Sequence, residues 1–134
     1  MLNSSGFTAP EKAVLEHICT AYPTERAALE AQLSTATLKG RENTGCGFFT
    51  EFVVDRASTL PLTGDRYRDG GTAKIEGLVH GMGFILFLEK GYANLLEGYS
   101  YANENTSQFV WDDVEFEITS PPAEIWMTPR PPRA

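Results

Sequence analysis

Two cysteines, two histidines and a late cluster of carboxylates are the residues of this 134-residue chain whose types could carry chemistry. Cys46 sits in Thr44-Gly45-Cys46-Gly47, where flanking glycines let a backbone approach a nucleophile closely. A thiol needs a base to become a thiolate, and the base needs a third group to orient it. His80, in the turn-rich His80-Gly81-Met82-Gly83, is the candidate base, with Glu97 or Glu76 as orienter. One reading is therefore a small-molecule binding domain or minor hydrolase, with its pocket between helices and sheet and His80 and Cys46 near the mouth. The same glycines equally suit a turn or bulge at the start of a strand. His17 lies beside the apolar stripe of a helix and reads as a solvated or core-satisfied imidazole. No H-x-H or H-E-x-x-H spacing points to a metal, and no G-x-x-x-x-G-K-[ST] segment cradles phosphate. Nothing in the sequence calls for a cofactor.

A second set has binding chemistry instead. Glu97, Tyr99, Tyr101, Glu104, Trp111, Asp112, Asp113, Glu115 and Glu117 concentrate acid and aromatic groups late in the chain. If the outward faces of the last strands are neighbours, they form an acidic surface with aromatic anchors. Aromatic rings supply contact area at low entropic cost, and carboxylates hasten the encounter with a basic partner. The competing reading is a solvated sheet face with half-buried tyrosines.

The elements that must position these residues follow from periodicity. Met1 to Phe7 is a short polar lead. Thr8-Ala9-Pro10-Glu11 is a capping box with proline at the helix start, and Val14, Leu15, Ile18 and Cys19 make one apolar stripe. Pro23 ends that helix, and a second runs from about 24 to 33. Strands follow at 34–40 and 46–55, the latter with Phe48, Thr50, Phe52 and Val54 on one face and Phe49, Glu51 and Val53 on the other. Residues 55–71, rich in glycine and aspartate, read as the longest loop, with alternation resuming at 72–78. The run Phe84 to Leu88 reads as a strand buried on both faces. Lys90-Gly91 turns it into a partner strand over 92–101, making this hairpin the centre of the sheet. A last strand lies within 109–119.

The expected fold is α+β: two N-terminal helices on one face of a mostly antiparallel sheet of about six strands. A single domain spans 1–120, and 121–134 is a proline-rich C-terminal tail, extended and dispensable for folding unless Trp126 docks and pins it. Hydrophobic content of 42% and charge content of 22% belong to an ordinary globular chain. The net charge of −7 argues against nucleic acid and is compatible with a basic protein partner. No apolar run is long enough to cross a bilayer, and no secretory signal is visible. Two cysteines do not make a disulfide framework, so a reducing cytoplasm is the expected compartment.

Three segments carry a resemblance: G-x-G-F-F-T at Gly45 to Thr50, E-G-L-x-H-G-x-G-F-x-L-F at Glu76 to Phe87, and L-E-G-Y-x-Y at Leu96 to Tyr101. Their order resembles a group of small, uncharacterised bacterial proteins. The resemblance implies a bacterial single-domain protein and gives no residue a role. Size and charge add an analogy to immunity or inhibitor proteins that bind basic partners.

Overall fold

The computed structural model describes residues 6–119. The readings placed on residues 1–5 and on the proline-rich segment, including the domain boundary at 120, lie outside these.

Helix α1 (Ala9–Ala21) begins where the capping box requires it. The Thr8 hydroxyl accepts from the Glu11 amide at 3.3 Å, and Glu11 Oε1 accepts from the Thr8 amide at 2.9 Å. The helix ends at Tyr22, before Pro23, and buries Val14, Leu15, Ile18 and Cys19. Phe7, just outside the cap, is not part of a polar lead: its ring meets Phe52 edge-on with centroids 5.4 Å apart. Helix α2 (Arg26–Ser34) buries Leu29, Gln32 and Leu33. Gln32 donates to the carbonyls of Leu60 and Gly91 and accepts from the Ala93 amide at 2.9 Å, which fixes the helix to a hairpin turn.

Six strands follow: β1 (Thr37–Asn43), β2 (Gly47–Val53), β3 (Tyr67–Ile75), β4 (Met82–Glu89), β5 (Tyr92–Ser100) and β6 (Phe116–Ile118). They form one sheet in the order β1-β2-β5-β4-β3-β6, antiparallel at every pairing. The α+β arrangement expected from the sequence is the one observed, and the β4–β5 hairpin is central. Lys90 and Gly91 close it with φ of 53° and 88°, the paired positive angles of a two-residue hairpin turn. Both helices pack on the face carrying Phe48, Phe52, Met82, Phe84, Leu86 and Leu96, each at most 1% exposed.

An ion pair ties that face to α1. Arg41 grips Glu11 at 2.7 and 2.6 Å, and the Thr50 hydroxyl donates to the same carboxylate. This pairing holds the Arg41 guanidinium above its ordinary pKa.

Three expectations need correction. Strand β3 starts at Tyr67, inside the stretch read as loop, because Gly70 and Gly71 form a bulge rather than a turn. Gly70 passes so close to β4 that a Cβ would lie 2.7 Å from that of Phe84. The first strand likewise runs on to Asn43, three residues past its expected end at 40. Finally, β4 is buried on one face only, since Ile85 and Phe87 alternate out of the core and are half-exposed.

Candidate binding face

The sheet face turned away from both helices is built by the residues that alternate out of the core. Strand register sets them in rows. One row runs Glu42, Phe49, Glu97, Ile85, Asp69 across β1, β2, β5, β4 and β3. The next runs Glu51, Leu95, Phe87, Tyr67, and a third Gly47, Tyr99, Gly83, Thr72. Phe49 (36% exposed), Val53 (50%) and Tyr67 (52%) are large apolar side chains left in solvent on this face, so it is not an ordinary polar sheet surface.

Glu97 lies at its centre, between Phe49 and Ile85. Partial burial among these neighbours holds its carboxyl above the usual carboxylate range, because desolvation penalises the charged form. Glu42, Glu51, Asp69 and Glu117 share the face, against Lys74 and, at the bulge in β1, Lys39. Tyr99 and Tyr101 meet edge-on at 5.6 Å. Both rings lie over β4 where Gly83 leaves room, since a Cβ there would fall within 2.5 Å of the Tyr99 hydroxyl and 2.6 Å of that of Tyr101.

The residues expected to form an acidic and aromatic surface are thus only partly together. Glu97, Tyr99 and Tyr101 share the open face. Trp111 instead is 7% exposed, packed against Phe48 and Phe109 with centroids 4.9 and 5.3 Å away, as a core residue on the helix side. Asp112 sits at the start of α1, accepting from the Ala9 amide at 3.2 Å, and Asp113 closes the adjoining turn on the Val110 carbonyl. Glu115 precedes the edge strand β6, and Glu117 lies within it on the open face, opposite Lys74 of β3 and not beside β5. The premise that the last strands are neighbours fails because β4 and β3 lie between β5 and β6. In their place come Phe49, Glu51, Tyr67, Ile85, Phe87 and Leu95, whose alternation was visible in the sequence without showing which face the helices cover.

The candidate nucleophile set has a different carboxylate beside its histidine. His80 is exposed, and its ring Nδ1 lies 3.2 Å from Glu104, whose carboxylate also accepts from the Val79 and His80 amides at 2.8 and 2.7 Å. These donors hold Glu104 below the ordinary carboxylate range. The group that orients His80 is therefore Glu104, from a polar loop without periodicity. Glu97 sits three residues into β5 from that end, and the Glu76 backbone pairs with Glu115 instead. Cys46 immediately precedes β2 and His80 lies in the turn before β4, and β5 runs between those two strands, whose backbones are about 10 Å apart for two strand spacings. The Cys46 carbonyl is engaged by Ser100. A cleft of about 110 Å³ lies at the opposite end of the sheet, lined by Lys39, Glu51, Val53, Arg56, Glu89 and Asn94. It is well below the 300–1,000 Å³ or so of a small-molecule site. Among the described residues no group of His, Cys, Asp and Glu is placed to hold a metal, and no helix is long and apolar enough to cross a membrane.

No family model, curated protein or solved structure matches this chain. Any functional reading therefore rests on the geometry of the site.

Proposed function

We propose that this chain is a non-enzymatic binding protein that uses its open sheet face to dock a basic protein, in the manner of an immunity or inhibitor protein. The observation that carries the reading is the row Phe49-Glu97-Ile85: a carboxylate held among apolar groups at the centre of a face with further acids around it. Such a face presents apolar contact area at its middle and a negative field over its extent. The first rewards a buried anchor, and the second steers a cation-bearing partner and disfavours acidic ones.

A photoreactive phenylalanine analogue placed at Phe49 or Tyr67, in cells that make the protein, tests this against the same analogue at Val110, which is 62% exposed beside Asp112. The expected result is a crosslink to one basic protein from the two face positions and none from Val110. Crosslinks of equal yield from all three positions, or to acidic proteins, contradict the reading.

A further inference from the structure

Glu97 shares its kind of surroundings with two other carboxylates of the chain and differs from them in having no cation. Glu89 stands opposite Tyr92 across β4 and β5, and Arg56 rests on this pair, 2.6 Å from the carboxylate and 4.9 Å from the centre of the ring. Glu25 follows Tyr22 by one helical turn, and these two hold Arg68 in the same way. The Arg68 guanidinium forks onto the carboxylate at 2.7 and 2.8 Å and lies 5.9 Å from the ring centre. In both places a carboxylate beside an aromatic ring is a seat for arginine. Glu97 and Phe49 form the same kind of registered pair across β5 and β2, with Tyr99 two residues along the same face. Among the described residues Glu97 makes no hydrogen bond or ion pair, and the desolvation that holds its carboxyl above the usual range is offset by no cation. Phe49 is 36% exposed, so this seat opens to solvent and not to the helices.

We propose that the Glu97–Phe49 pair is the seat for an arginine side chain of the basic protein partner, its guanidinium forked onto the carboxylate and lying against the Phe49 ring. The inference rests on the reading of this face as a docking surface and names the group that anchors there. Side chains directly opposite one another on adjacent strands have Cβ atoms about 4.5–5.5 Å apart, which keeps a cation on Glu97 within the roughly 6 Å over which a ring attracts it. Arginine suits the position better than lysine. Its guanidinium is planar, engages both carboxylate oxygens at once, stacks on aromatic faces and is more weakly hydrated than an ammonium. Weak hydration matters because Phe49 and Ile85 already withdraw the Glu97 carboxylate from water. A free amino acid fits less well, since its own carboxylate would meet the field of Glu42 and Glu51.

Methyl NMR on the full chain tests this without the partner, by titration with acetyl-arginine amide and separately with acetyl-lysine amide at tens of millimolar, the range in which a single side chain binds. The two probes carry the same charge, so any general salt effect is common to both. The arginine probe should shift the methyls of Ile85 and Leu95, with an affinity at least about fivefold above that of the lysine probe, and leave Leu15 and Leu33 in the core unchanged. Glu97→Gln should abolish these shifts. Phe49→Leu should narrow the preference for arginine over lysine. Overturning results are unmoved Ile85 and Leu95 methyls with the arginine probe, equal affinities for the two probes, or arginine shifts that persist in a folded Glu97→Gln protein. The two proposals then separate. Crosslinks from Phe49 and Tyr67 to a basic protein, with no arginine preference at Glu97, remove the seat and keep the docking face. An arginine preference without any such crosslink removes the protein partner and leaves a guanidinium site.

Discussion

Two carboxylates respond to pH in opposite directions, and each sign follows from what surrounds the group. Glu97 has its folded pKa raised by desolvation, so its contribution to stability is full below the unfolded pKa of about 4.3 and is lost as pH rises through the folded value. Glu97→Gln should therefore raise the urea midpoint at pH 7, with the gain vanishing near pH 4. A gain that persists in acid would show that charge is not its cause. Glu104 has its folded pKa lowered by the Val79 and His80 amides, so its contribution is present above the unfolded value and lost as pH falls through the folded one. Glu104→Ala should speed amide exchange at Val79 and His80 at pH 7, with the difference from the parent chain shrinking in acid. If exchange at both amides is unchanged, the carboxylate does not hold that turn. His80 itself was legible as an exposed histidine in a glycine-rich turn. Its partner was not, because Glu104 lies 24 residues on, in a segment whose placement depends on the fold of the sheet.

At the scale of elements, β4 separates burial from mere hydrophobicity. Phe84 is 1% exposed and packs near Phe48, whereas Phe87 points to the open face. Phe84→Ala should cost about 3–5 kcal/mol in denaturant unfolding through lost transfer energy and a cavity. Phe87→Ala should cost under about 2 kcal/mol, since solvent or a flexible neighbour fills the space. Equal costs would mean that the outer face of β4 is covered as fully as the inner. The ion pair between α1 and the sheet gives a second test, because Arg41→Ala leaves Glu11, 1% exposed, without its cation. Loss of one partner of a buried pair costs about 3–5 kcal/mol, and a loss under 1 would contradict the assignment of that pair as the tie between helix and sheet. Helix α1, the hairpin turn and the alternation of β2 could be read in advance, since capping, positive φ and period two are local properties. The start of β3 could not. Gly70 is required there by the close approach of Phe84, which exists only once β4 lies alongside.

Taken as a whole, the molecule is a sheet with helices on one side and an acid-rich apolar surface on the other. Its strand order decides which late residues meet. The sequence pattern groups Glu97 and Tyr99, which share the open face, with Trp111 and Asp112, which serve the opposite side. Chain order does not give sheet order, and two intervening strands are enough to divide the set. The claim that this face docks a basic protein is tested most directly by association kinetics with the partner crosslinked through Phe49, at low and at physiological salt. Glu51→Gln/Glu97→Gln should slow association at low salt and flatten its salt dependence, because exposed charges steer encounter over a screening length of about 8–10 Å. Asp113→Asn, in the turn beside α1, should leave both unchanged. An unaltered on-rate for the glutamate pair at low salt, or an equal effect from Asp113→Asn, would contradict the account.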